Sequence, residues 1–204
     1  MNLLAVDLNM GKLFVLTGKS ASGKDAIYKR LLGDEQLGLK PYVGYTTRPV
    51  REHEINGREY YFVTVDDLAD FERAGKLIEK RTYPSVHGDW HYFSVDDGRV
   101  GHDKSDFLYI ATPEAFVHLR DYYGKDRVIP IYIQVEDGER LTRALEREKQ
   151  QSEPKYAEMC RRFLGDNEDF SEENLKAYGI DKRFDNVDLE ECIGQIREYI
   201  LSFL

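Results

Sequence analysis

Cysteine is scarce in this chain. Cys160 and Cys192 are the only two, far apart in sequence and without metal-ligand spacing. That excludes a disulfide-stapled scaffold and a cysteine-held zinc site, and both residues read as packing thiols of a cytoplasmic protein. No apolar run is long enough to cross a bilayer, so no membrane partner is expected. The opening residues MNLLAVDLNMGK lack the basic n-region and cleavage pattern of a secretory signal. Positive charge is in deficit as well: 29 Lys and Arg face 38 Asp and Glu, a net charge of −9. Such an acid balance speaks against nucleic acid as the main partner, while leaving room for a locally basic pocket that takes small phosphates. At 204 residues the chain suits one α/β body with inserted subdomains and a sizeable core. Composition leaves a monomer and a homodimer equally open.

The stretch from Leu13 to Leu32, LFVLTGKSASGKDAIYKRLL, organises the rest. An apolar run of strand length leads into Gly18, Lys19, Ser20, Ala21, Ser22, Gly23 and Lys24. Ile27, Leu31 and Leu32 then fall at helical spacing. Strand, glycine-bounded loop and helix start are the context that a phosphate-cradling P-loop requires. Gly18 and Gly23 permit a close backbone approach that side chains would block. The loop N–H groups and the helix N-terminus would face a polyphosphate, with Lys24 as a point charge. Asp25 stands where the motif has a Ser or Thr to hold magnesium, and a carboxylate is itself a competent hard-oxygen ligand for Mg2+. A plain glycine turn between strand and helix is the ordinary alternative.

Further along, Tyr42 to Thr47 reads as a strand, and Asn56-Gly57 as a two-residue hairpin connector to a second strand over Glu59 to Thr64. Thr64-Val65-Asp66-Asp67 offers a capping box for a short helix that Gly75 terminates. Leu77 to Arg81 and His91 to Val95 are further short strands, so residues from about 40 to 96 form a mostly β insertion rich in aromatics. Phe107 to Ala111 and Val128 to Val135 are buried-strand runs, separated by a helix over Pro113 to Tyr123 with Thr112 as its cap. Pro130 implies an edge position or a bulge. Asp137 to Phe163 is charged and helical. A strand around Phe184 precedes an amphipathic helix from Leu189 to Leu204.

Thr46-Thr47-Arg48-Pro49-Val50-Arg51, then Glu54-Ile55-Asn56-Gly57-Arg58-Glu59-Tyr60-Tyr61-Phe62, then Ile78-Glu79, then Tyr92-Phe93-Ser94 follow the P-loop in order. This series resembles the guanylate kinases, and the resemblance runs through nearly the whole chain. It implies an α/β fold: a P-loop NTPase-type parallel sheet flanked by helices, with an inserted mostly β nucleoside-monophosphate-binding subdomain and a helical lid. The core would be 1–39, 97–136 and 166–204, the acceptor subdomain 40–96 and the arginine-rich lid 137–165. The implied activity is ATP-dependent phosphoryl transfer to GMP or dGMP with Mg2+. In that picture Gly18 to Asp25 and Asn186 bind ATP, and Arg48, Arg51, Tyr60, Glu79, Tyr92 and Ser94 bind the acceptor. Lys24, Arg48, Arg143, Arg147 and Arg162 serve catalysis, and Asp25 takes the metal.

The chemistry agrees independently. A phosphotransferase must align two anions and neutralise the transferring group. Arg48 and Arg51 on an extended segment could grip a phosphate with forked donors, although taken alone they would be a solvated basic pair. Arg143 and Arg147 share a helix face, which a salt-bridged surface helix explains equally well given Glu139, Glu146 and Glu148. Glu79 could accept from guanine N1–H and the 2-amino group, or pair with Lys80 or Arg81 at the surface. The sequence also departs from the family. Two aspartates expected at the end of the Phe107 strand are Ile110 and Thr112, a guanine-reading serine is Gly44, and Phe93 adds bulk beside the pocket. A kinase of another small phosphorylated acceptor, or an inactive guanylate-kinase-like binding module, are therefore the other readings. The intact Lys24 and both loop glycines speak against the module.

Overall fold

The structure, a computed structural model, describes residues 11–85, 88–100 and 104–204. The reading of residues 1–10 as leaderless, and the placement of the core's start at residue 1, lie outside the described residues.

Period-2 alternation in one strand sets out the whole core. In β1 (Leu13–Gly18) every residue is buried, yet successive side chains face opposite ways. Leu13 and Val15 join Phe107, Phe116, Leu119 and Tyr132 on one side. Phe14 and Leu16 join Ile27, Leu31, Ile196 and Ile200 on the other. A strand buried on both faces must be central and covered twice, which is the condition for a parallel sheet. The sheet is five-stranded and parallel throughout, in the order β2 (Lys40–Pro41), β7 (Phe107–Ile110), β1, β8 (Val128–Gln134), β9 (Arg183–Asp185). Helices α3 (Pro113–Tyr123) and α6 (Glu172–Ala177) supply the first layer; α1 (Lys24–Leu32) and α7 (Leu189–Leu201) supply the second.

Pro130 sits in β8 opposite Val15, in a strand with neighbours on both sides. Its pairing with β9 begins only at Tyr132. The far flank is thus open where the proline lacks its N–H, and the expected edge position is met locally within an interior strand. Helix α3 has the expected bounds, with the Thr112 hydroxyl accepting from the Ala115 N–H at 3.3 Å.

A second, four-stranded sheet follows the order β4 (Tyr61–Phe62), β3 (Tyr45–Thr46), β6 (Gly88–Val95), β5 (Leu77–Ser85). Here two expectations are corrected. The run Tyr42 to Thr47 is not one strand: Lys40–Pro41 pairs with β7 in the parallel sheet, and Tyr45–Thr46 enters the second. Asn56-Gly57 makes no hairpin either, since β3 and β4 run parallel, Tyr45 opposite Tyr61 and Thr46 opposite Phe62. A parallel pair cannot be joined by a two-residue turn. Instead the Asn56 side chain accepts from the Phe62 N–H at 2.8 Å and folds the connection into a crossover.

Helix α2 (Val65–Arg73) packs on this sheet and carries the expected capping box, Thr64 and Asp67 bonding each other's N–H groups. Its Leu68 meets Phe93 and Val95, with Tyr45 and Phe71 against them. Phe93 therefore fills the small core and adds no bulk to a pocket. Alternation along β6 is the reason: Tyr92 and Ser94 face one way and Phe93 the other. Two further helices, α4 (Asp137–Lys149) and α5 (Tyr156–Asp169), form an antiparallel arm over the C-terminal end of β1. Cys192 is buried in α7 as expected, whereas Cys160 is exposed on α5.

Candidate active site

At the end of β1 the chain turns tightly into α1. An added Cβ at Gly18 would lie 2.8 Å from both the Ile133 carbonyl oxygen and Ser22 Oγ. Gly23 has φ +87°, and a Cβ there would stand 2.4 Å from Asn186 Nδ2. Gly18 is thus required by contact alone, and Gly23 by contact as well as by conformation. Asn186, expected at the ATP base, is buried, and its amide donates to the Ser22 carbonyl at 2.8 Å, so it shapes the loop from beneath. Ala21 adopts φ 61°, a left-handed conformation that a non-glycine residue keeps only where its surroundings enforce it. The Gly23, Lys24 and Asp25 amides begin a helix and have no preceding turn to bond. Lys24 reaches back toward the Lys19 carbonyl at 3.4 Å. Burial holds its pKa below the ordinary lysine value against the opposing pull of Asp25 and Asp166, with Arg147 and Arg140 adding to the depression.

The α4–α5 arm is fixed to this loop by charge. Arg140 is fully buried and donates to Asp137 at 2.7 and 3.1 Å, to Asn167 at 3.3 Å and to the Ser20 carbonyl at 3.1 Å. Its guanidinium also lies 3.4 Å from Asp166 and over the Phe163 ring at 4.7 Å. The Ser20 N–H donates to Asp166 at 2.7 Å, and Lys19 donates to Asn167 at 2.8 Å and Asp137 at 3.3 Å. Sequence reading missed Arg140 and Asp166. Their signal was weak: Arg140 lies one turn after Asp137 in a helix full of charge. Arg143 pairs with Glu139 at 2.8 Å and donates to the Asn186 carbonyl at 3.2 Å, and Arg162 pairs with Glu158 at 2.9 Å. Among the described residues Arg147 has no carboxylate partner. A cavity of about 470 Å³ gathers Ser20, Arg51, Arg140, Arg147 and Arg162.

A second cavity of about 450 Å³ opens between the loop and the second sheet. Gly18 and Lys24 of the loop line it together with Tyr60, Arg81 and Tyr92 of the inserted region, Tyr109, Ile110 and Thr112 at the end of β7, and Arg162 of α5. Glu79 and Ser94 are paired across β5 and β6 just behind the Arg81 wall, buried, with Ser94 Oγ donating to Glu79 at 2.9 Å. A bulge between Leu77 and Glu79 sets that register. Tyr109 was also unforeseen. Its hydroxyl stands 2.8 Å from where a Cβ on residue 44 would be, so Gly44 makes room for a second polar group. Burial raises the Tyr109 phenol to about 12, which keeps it a neutral donor. Asp25 is exposed and lines an adjoining cleft of about 680 Å³ with Tyr28, Lys29, Tyr60 and Tyr109.

With that geometry in place, comparison with known proteins is decisive. A family model described as guanylate kinase matches residues 10–202. The chain belongs to the guanylate kinase family. A relative named guanylate kinase from Porphyromonas gingivalis is 28% identical over 198 residues, covering 96% of this chain and 99% of that protein. Another, from Mycoplasma mobile, is 29% identical over 198 residues, 95% of this chain and 94% of its own length. The crystal structure of guanylate kinase from Anaplasma phagocytophilum shares the fold, with a TM-score of 0.62 at 21% identity over 95% of this chain and 86% of that one.

Within this guanylate kinase family chain, Arg48 and Arg51 part company. Arg51 lines the cavity beneath the α4–α5 arm. Arg48 is buried, neither solvated nor open to a ligand on its fork. It grips Glu54 through both guanidinium nitrogens at 2.6 and 2.7 Å, donates to Tyr92 Oη at 3.1 Å, and stacks on Tyr60 and Phe62 at 5.4 and 5.2 Å. It therefore holds the two cavity tyrosines in place. The Arg48 hydrogen bond holds the Glu54 carboxyl down to about 2, with the Arg51 N–H assisting. A carboxylate depressed in the folded state contributes stability above its unfolded pKa and loses it as pH falls toward the folded value. The unfolding free-energy gap between the native chain and Glu54→Gln should hence be constant above about pH 5 and close between about pH 4.5 and 2. Urea unfolding at stepped pH measures it; a gap as wide at about pH 2.5 as at pH 6 contradicts this role for the pair.

Proposed function

We propose that this chain catalyses ATP-dependent phosphoryl transfer to a guanine nucleoside monophosphate, GMP or dGMP. The observation that carries the reading is the 450 Å³ cavity, which joins the P-loop's Gly18 and Lys24 to the tyrosines of the second sheet without an intervening wall. A donor phosphate on one side and an acceptor phosphate on the other would then meet in line, which is most of what this reaction asks of a protein.

The roles follow from position. The loop amides and Lys24 bind the donor's phosphates, and Asn186 maintains the loop. Residues 40–96 act as the acceptor subdomain and 137–165 as the lid. The first range begins with a strand of the parallel sheet, and α5 runs past the end of the second. Arg147 and Arg162, from α4 and α5, reach the transferring group, with Arg143 anchored beside the loop. Tyr60, Tyr92 and Arg51 receive the acceptor phosphate while Arg48 positions both tyrosines. Glu79 and Ser94 stand at the base end.

The residues also fit a magnesium ion. Asp25 offers one exposed carboxylate at the start of α1, and no group of three or more His, Cys, Asp or Glu is clustered to hold a metal among the described residues. Mg2+ is characteristically held this way, by one or two carboxylates with the remaining positions taken by nucleotide phosphates and water. When bound it would neutralise charge on the β- and γ-phosphate oxygens.

A coupled ADP-release assay over a panel of monophosphates tests the reading. GMP and dGMP should be the best acceptors, and Lys24→Ala should lower turnover by about 10²- to 10⁴-fold with an unchanged Tm. AMP or a pyrimidine nucleotide outperforming both guanine nucleotides would sink the assignment, as would an active Lys24→Ala. For Asp25, the Asn variant should need more magnesium for half-maximal rate. An unmoved magnesium titration in Asp25→Ala would leave that residue a helix-start carboxylate only.

A further inference from the structure

Arg81 lies in front of the carboxylate that the proposed function gives to guanine. Glu79 and Arg81 are two apart on β5 and therefore share a strand face. Arg81 Nε donates to Glu79 Oε2 at 3.1 Å, and its Nη2 lies 3.5 Å from Oε1. Ser94 occupies Oε1 as well, at 2.9 Å. Both oxygens of Glu79, a side chain only 2% exposed, are thus engaged inside the protein. Arg81 itself lines the cavity, and its remaining arm reaches Thr112 Oγ1 at 3.4 Å.

This arrangement changes how a base is selected. A site discriminates strongly by hydrogen bonding when the wrong ligand leaves a buried polar group unpaired. Guanine presents N1–H and a 2-amino group to a carboxylate; adenine presents no such pair of donors. Were Glu79 bare, adenine would strand a buried charge. With Arg81 and Ser94 on it, Glu79 keeps its partners whichever base enters, and guanine must compete with a guanidinium to reach it. Resting on the guanine-nucleotide reading above, we propose that Arg81 is the specificity-determining residue of this chain, an internal partner of Glu79 that reduces discrimination between guanine and adenine acceptors.

The test is kcat/KM for GMP and AMP, with Kd for both by calorimetry, in the native chain, in Arg81→Gln and Arg81→Ala, and in Arg81→Gln combined with Glu79→Gln. Freeing Glu79 should raise the GMP-to-AMP ratio about tenfold in each single variant, chiefly by loss of AMP. Adding Glu79→Gln should erase that gain, which a merely structural role for Arg81 would not predict. Arg81→Gln keeps an uncharged polar side chain with part of the arginine stem, so a fold lost in Arg81→Ala leaves the measurement intact. A ratio that stays level or falls in Arg81→Gln, while native protein phosphorylates GMP, overturns this inference alone. A native chain that neither binds nor phosphorylates GMP overturns this inference and the functional reading together.

Discussion

Like charges cannot be gathered in one cleft unless something holds them there, and this chain meets that constraint with carboxylates. Lys19 and Arg140 share Asp137, Arg48 has Glu54, Arg81 has Glu79, Arg143 has Glu139 and Arg162 has Glu158. The net charge of −9 is thus compatible with a cationic site, because the excess of acid includes the groups that hold the arginines in place. The pairs of Lys19, Arg143 and Arg162 are partly exposed and contribute little to stability. The Arg48 and Arg140 guanidiniums and the Glu79 carboxylate are themselves buried, so removing the partner of any of them would leave an uncompensated buried charge. Lys24, Arg51 and Arg147 are cleft cations without such a partner among the described residues, which leaves their charge for a ligand.

Strand alternation then converts composition into function. On β6 it sends Tyr92 to the cavity, turns Ser94 to Glu79 on the same face, and sends Phe93 to the small core under α2. On β5 the bulge before Glu79 brings that residue opposite Ser94 and places Arg81 opposite Tyr92. One pleat thus supplies both a wall of aromatic and charged groups and the apolar face that supports it. The same device in β1 buries two layers and leaves its end to carry the loop.

The loop is the point where local and distant demands meet. Its glycines answer to neighbours far away in sequence: Gly18 to Ile133, Gly23 to Asn186. Asn186 bonds the loop and accepts from Arg143, so the C-terminal segment, the loop and α4 are joined at one side chain and its carbonyl. Arg140 makes a second joint on the other side, through the Ser20 carbonyl.

The sequence by itself determined what depends on short-range chemistry. A strand followed by a glycine-bounded loop and a helix has few ways to fold, so the P-loop and the Gly23–Lys24 helix start were legible. So were the Thr64 capping box, α3 with its Thr112 cap, and the spaced motifs that point to the family. Tertiary structure alone decided what depends on partners distant in the chain. Parallel pairing of β3 with β4 took the place of an Asn-Gly hairpin, with the Asn56 side chain bonding the Phe62 N–H inside the connection. The faces of Arg48 and Phe93, the burial of Arg140 and the space that Gly44 leaves to Tyr109 were fixed by packing. Periodicity says which residues share a face, but only the assembled layers say what that face meets.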